Sequence, residues 1–229
     1  MMTNRTYFSP KLVNPFYLEE NVEFEYIPGQ SLSQQQKSIR NMHRALFGIN
    51  SKFKILEIST KSSVTLGNRL SAFNLDIQHQ GRNAKLESVY QSTKVFEFGG
   101  PFFDIATLNS IEAKQDPRLK NSGKLTGFRY EDQNWNLSES PNFYDYLYSR
   151  AVFENQLKED LCNYDVFTDF AYSNKANKRQ KNKSHNCQAR SASIIVSLNL
   201  IYSDSVFDVI KQIAIQNSEN ANPEYSLFD

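Results

Sequence analysis

Apolar side chains recur at helical spacing along much of this chain, and one stretch concentrates the pattern. Over residues 85–97, Leu86, Val89, Thr93 and Phe96 share one face. Glu87, Gln91 and Lys94 follow at i, i+4 and i+7 on a neighbouring face, with Tyr90 at the edge between them. The spacing predicts one helix, stopped by Phe98-Gly99-Gly100-Pro101, because glycine accepts a left-handed cap and proline cannot continue the ladder. Similar periodicity predicts helices over 34–46, with Ser31 or Ser33 as cap and Ile39, Met42, His43 and Leu46 on the apolar side. Others are expected from Ser62 or Ser63 through Leu70 or Phe73, over 110–118, from Ser140-Pro141 to Leu157, over 192–201 and over 206–215. Phe143, Tyr146, Leu147 and Val152 mark the inner side of the helix after Pro141. Alternation predicts a strand at 22–26, a second at 54–59, and two short ones around Phe128 and Trp135, separated by a turn over 131–134.

Composition narrows the class. A chain of 229 residues forms one large core more simply than two small ones, and 17 Phe with 12 Tyr supply ample large side chains for it. Only 8 Gly and 7 Pro argue against disorder or a turn-rich fold. A net charge of +1 excludes a global field toward polyanions, so any such contact must come from a local patch. The obvious patch is residues 175–183, with five cations in nine residues: a solvated loop or a phosphate contact. Cys162 and Cys187 form no disulfide framework, which points to a reduced, cytoplasmic setting. Cys187 near His185 is either a small packing residue or an activated thiolate. No apolar run reaches membrane-spanning length, and the N-terminus lacks a signal peptide's apolar region. His43, His79 and His185 lie in unrelated contexts, so neither a metal site nor a cofactor is expected.

A carboxylate, an amide and an amine on one helix stripe are either a solvated surface or the wall of a polar pocket. Here a resemblance adds to the reading. Glu87-x-x-Tyr90-Gln91-x-x-Lys94, preceded by Leu70-Ser71-Ala72-Phe73-Asn74, resembles the signature of the NADAR (YbiA-like) family. Segments 55–61, 123–129 and 186–191 are similar to those of the branch found with DarT-type toxin–antitoxin systems, and the likeness covers roughly residues 30 to 200. Two departures stand out. Ala72 occupies a position where the family often carries Asn, with Asn74 the nearest substitute, and 186–191 lacks the family's glycine-rich ending.

The resemblance implies an α+β fold: a single compact, mainly helical domain with a small β-sheet. An N-terminal extension (1–30) would pack on a catalytic domain (31–216), followed by a flexible tail (217–229). It implies a hydrolase of N-glycosidic bonds that removes ADP-ribose from guanine bases of DNA and so reverses a DarT-type toxin's modification. ADP-ribosylated DNA would be substrate, ADP-ribose product, and a DarT-type toxin the possible partner. Glu87 would stabilise charge growing on the ribose, and Lys94 would act as nucleophile or as a plain electrostatic group. Ser71, Phe73, Asn74, Tyr90, Gln91, Lys124, Arg129, Asn186, Gln188 and Arg190 would bind substrate. Asp104 and Asp169 are alternative acid–base groups, each also readable as a cap or turn residue. Two other readings stay open: a module that binds ADP-ribose or the toxin without turnover, and an N-glycosidase acting on a small nucleotide-like metabolite.

Overall fold

The computed structural model describes residues 1–172 and 187–220. The cation run at 175–183, His185 and Asn186 lie outside the described residues, as does the tail beyond 220.

The chain opens with a hairpin. β1 (Met2–Pro10) and β2 (Tyr17–Glu25) pair antiparallel, Met2 opposite Glu25 and Pro10 opposite Tyr17. Alternation in β2 buries Val22 and Phe24 and turns Glu23 and Glu25 to solvent. α1 (Leu32–Ile49) starts at Ser31 in a reciprocal capping box with Gln34, and packs Ile39, Met42 and Leu46 against Val22 and Phe24. β3 (Ile55–Glu57) follows, then α2 (Thr65–Arg69). α2 can lie on the end of β3 because Gly67 has no side chain: a Cβ there would sit 2.0 Å from the Glu57 carbonyl oxygen. β4 (Asp76–His79) and β5 (Arg82–Lys85) form a short hairpin leading into α3 (Leu86–Ser92) and then β6 (Lys94–Phe96).

A 3-10 turn over Phe103–Thr107 leads to α4 (Ser110–Gln115), capped by Asn109, and α5 (Arg118–Asn121). β7 (Leu125–Tyr130) and β8 (Gln133–Asn136) form a hairpin whose turn includes Glu131 at positive φ. α6 (Ser140–Glu154), α7 (Lys158–Leu161), β9 (Val166–Thr168), α8 (Gln188–Tyr202) and α9 (Val206–Asn220) complete the fold.

Among the described residues three sheets result, ordered β2-β1-β9-β3, β4-β5 and β6-β7-β8, so the sheet content exceeds the single small sheet expected. β1, β4 and β5 escaped notice because polar residues dominate them, and β9 because three buried residues show no periodicity. β1 and β3 flank β9, antiparallel and parallel respectively. The main core lies between α3, α6 and α8, with Phe143, Leu147 and Ala151 recurring every fourth residue on α6 and all fully buried. Phe143 sits 5.1 Å, centroid to centroid, from both Phe128 and Trp135, tying α6 to the third sheet. Among the described residues no helix is long and apolar enough to cross a membrane.

The expected helix over 85–97 is two elements. Ser92 Oγ donates to the Val89 carbonyl and Thr93 Oγ1 to that of Tyr90, taking up carbonyls of the last turn. Lys94 then pairs opposite Phe128, and Arg129 N–H donates to the Thr93 carbonyl. A strand partner thus claims residues whose spacing also suits a helix. The Gly99-Gly100-Pro101 turn ends β6 rather than a helix. Gly100, at φ +86°, lies so close that a Cβ would be 2.4 Å from the Lys94 carbonyl oxygen.

Candidate functional site

Every residue of α3 is buried, including the polar ones. Glu87, in the first turn, is 7% exposed. Its Oε1 accepts a hydrogen bond from Gln91 Nε2 at 2.9 Å and faces Lys114 Nζ of α4 at 3.4 Å. The i, i+4 spacing on one helix supplies the first contact, and the docking of α4 on α3 supplies the second. Lys114 also lies over the half-buried Phe73 ring, 5.0 Å from its centroid.

The backbone under Glu87 is held as well. Glu87 N–H donates to the Ala72 carbonyl at 3.0 Å, and Ala72 N–H donates to Gln188 Oε1. Gln188 Nε2 donates to Asp169 Oδ2 at 3.1 Å, and Tyr148 OH to the Leu70 carbonyl at 3.0 Å. The 70–73 segment is therefore pinned between α3 and the start of α8.

Lys94 begins β6, just beyond α3, not on it. Its ammonium lies 5.2 Å from the centroid of the Tyr90 ring, and makes no ion pair among the described residues. Burial lowers its pKa from 10.5 to about 8; the charge of Glu87 opposes the fall, and Lys114 adds to it. Tyr90 itself is a core residue, 5.4 Å from Phe128 and 5.2 Å from Tyr144 by ring centroids. It offers its ring to Lys94 rather than a face to an open pocket. Glu87, Gln91, Lys94, Lys114 and Phe73 thus form one group of a carboxylate, an amide, two amines and an aromatic ring.

A second acidic group lies behind it. Asp169 is buried, accepts N–H groups from Gln188 and Ala171, and has its pKa raised by that burial. Glu57 accepts Thr168 Oγ1 at 2.6 Å and Phe170 N–H at 2.9 Å; burial, then the charge of Asp169, pushes its pKa to about 7. His43 Nε2 lies 3.0 Å from Thr168 Oγ1, and burial lowers its pKa to about 4. The charges of both Glu87 and Asp169 act on the buried Tyr144 hydroxyl, whose pKa burial raises well above its ordinary value.

The other expected residues are dispersed. Ser71 is buried, its carbonyl accepting from Asn74 and Leu75 N–H, whereas the exposed Asn74 side chain donates to Asn68. Asp104 is exposed and accepts two hydrogen bonds from Arg118, at 3.1 and 2.7 Å, which hold its pKa below the ordinary carboxylate value. Lys124 and Arg129 are exposed. Arg190 is buried against Asp145 at 3.1 Å and lines a cavity of about 460 Å³ with Tyr17, Asn142 and Ile210; Glu87, Gln91 and Lys94 are not in its lining. Glu87 and Lys94 make the candidate site, because a clamped carboxylate there acts on a half-buried amine, whereas Arg190 is paired with Asp145. Among the described residues no group of three or more His, Cys, Asp or Glu could hold a metal ion.

Sequence reasoning missed Lys114 and Glu57. The Asn109–Glu112 capping box marks the start of α4, but nothing local says that α4 docks on α3.

A search among curated proteins finds no match. A family model described as DarT1-associated NADAR antitoxin matches residues 3–214.

Proposed function

We infer, because this chain belongs to the NADAR family in its DarT1-associated antitoxin branch, that it is a hydrolase removing ADP-ribose from guanine bases of DNA. The observation that carries this reading is the half-buried Lys94 amine, held 5.2 Å over the Tyr90 ring without an ion pair among the described residues, next to α3, whose Glu87 carboxylate is fixed by Gln91 and Lys114; burial lowers the lysine's pKa to about 8. At pH 7 about a tenth of such a lysine is free amine. That fraction attacks ribose C1″ and forms a C–N bond as the glycosidic bond to the base breaks. The bonding pair leaves on the base nitrogen, which takes up a proton. Ring opening of the ribosyl–lysine adduct gives a Schiff base, and water hydrolyses it to ADP-ribose and free Lys94. Glu87 opposes the positive charge developing at C1″ and carries protons to and from the reacting groups. Gln91 and Lys114 restrict its rotamers, so little reorganisation is left for the transition state.

The test is to incubate the protein with a guanine-ADP-ribosylated oligonucleotide, beside a thymine-modified one, and follow adduct loss by mass spectrometry. Loss from guanine alone supports the reading. Borohydride added during turnover should leave a ribosyl-derived mass on the peptide containing Lys94. Retention of the modified strand without loss would make the protein a binding module. Neither loss nor retention would turn attention to a small-metabolite glycosidase.

A further inference from the structure

Phe98 is 80% exposed, more than any other large apolar residue among those described. Its backbone is nevertheless held on both sides. Phe98 N–H donates to the Ser122 carbonyl and Glu97 N–H to that of Lys124, each at 3.0 Å. Lys124 N–H donates back to the Glu97 carboxylate at 3.0 Å, and Phe96 N–H to the Gly99 carbonyl at 2.8 Å. Gly123, at φ +84°, leaves room for the ring: a Cβ there would lie 2.7 Å from it. Three backbone hydrogen bonds and one to the Glu97 carboxylate hold a turn that presents an aromatic face to water, where it adds nothing to the core.

Exposed cations lie beside that face and on β7, which pairs with the strand leading from it back to Lys94. Lys120 and Lys124 flank Gly123, and both are exposed, with no ion pair among the described residues. Arg129, also exposed, lies 5.7 Å over the Phe103 ring, and Arg118 lies 4.9 Å over Phe102. Asp104 and Asp116 neutralise Arg118, and Glu97 is the acidic side chain nearest the turn. Lys120, Lys124 and Arg129 make no ion pair among the described residues and lie on the same stretch of chain, from β6 to β7, as Phe98, Phe102 and Phe103. β6 links this surface to the site, with Lys94 four residues before Phe98, about 13 Å of extended chain at most.

We propose that Phe98 is a stacking platform for single-stranded DNA, on which a base neighbouring the modified one lies while Lys120, Lys124 and Arg129 contact the backbone phosphates. The identity of that neighbour rests on the function proposed above; the binding itself does not. An exposed, rigid ring needs a base with a free face, which a strand offers and a closed duplex does not. Cations beside it supply the salt-dependent share of the affinity.

Binding of a fluorescein-labelled, unmodified oligodeoxythymidine to the full chain should weaken about tenfold in Phe98→Ala and recover in Phe98→Trp. The melting temperature of the alanine variant should stay unchanged, since the ring packs on little. Lys124→Ala should reduce the slope of log affinity against log salt by about 0.7. In turnover, Phe98→Ala should raise KM for an ADP-ribosylated oligonucleotide about tenfold and leave an ADP-ribosylated guanosine unaffected. Wild-type binding by Phe98→Ala, or an equal loss on both substrates, overturns the proposal. If the wild type turns over neither substrate, the hydrolase reading fails, and the oligodeoxythymidine titration still decides the stacking surface.

Discussion

Two buried acids in this protein stand among different neighbours. Glu87 has cations nearby, with Lys114 at 3.4 Å and Lys94 acting on it electrostatically, and Gln91 donates to it. Glu57 has none so close among the described residues; it has hydroxyl and amide donors, and burial, with a second carboxylate, Asp169, pushes its pKa to about 7. Burial beside a like charge shifts Glu57 toward its neutral form, suited to a hydrogen-bonded joint between β3 and β9. The contrast separates the proposed reactive centre from the frame behind it, and six variants test it.

The largest effect is expected at Lys94. Lys94→Ala should cut kcat on guanine-ADP-ribosylated DNA by about a thousandfold or more while the fold persists, checked by single-turnover assay and circular dichroism. Lys94→Arg should fail as well, because a guanidinium does not lose its proton near neutrality. Glu87→Gln should cost about 10²- to 10⁴-fold in kcat, keeping the side-chain shape and losing the charge. Wild-type rates in both variants would remove the reactive centre from this place.

Glu57 comes next, read through stability. Its folded pKa, about 7, exceeds the ordinary 4.5, so the folded state binds more protons between those values. The stabilisation is complete below about pH 4.5 and is lost as pH rises through 7, a cost on the order of 3 kcal/mol for 2.5 pH units. Glu57→Gln should therefore gain stability relative to wild type as pH rises from 4.5 to 7 in denaturant titrations. A pH-independent difference would mean that Glu57 carries its charge at no cost. His43 runs the other way. Its folded pKa, about 4, lies below 6.5, so its contribution is complete above 6.5 and lost as pH falls through 4. His43→Gln should flatten that acid-side loss.

Lys114 should show the smallest effect. Removing its charge raises the pKa of Lys94, so Lys114→Ala should move the rising limb of the pH–rate profile to higher pH, with a modest fall in kcat at neutrality. An unmoved limb would assign Lys114 to Glu87 alone.

Much of the frame could be read from local pattern. α1, with its Ser31–Gln34 box and buried Ile39, Met42 and Leu46, lies where periodicity put it, and the inner residues of α6 are those that spacing selected. Glu87 and Gln91 were legible as one stripe because four residues of helix bring them together. Lys94 was assigned to the same helix, and there local pattern failed. Val95 and Phe96 fit a helix face and a strand alike, and only the presence of β7 decides between them. Asn74 was expected from the family resemblance and Asp104 from its place beside a motif-like segment; the structure gives their side chains hydrogen bonds with Asn68 and Arg118, partners that neither argument could supply.

What the sequence determined by itself is the set of chemical groups and their spacing within single elements: which faces are apolar, where helices begin, and that a carboxylate, an amide and an amine fall within eight residues. Tertiary structure alone decided their states. Whether a carboxylate is charged or a lysine deprotonated depends on how much water is excluded and which charges stand within a few ångströms. Those neighbours, Lys114 for Glu87 and Asp169 for Glu57, come from elements 27 and 112 residues away in the chain.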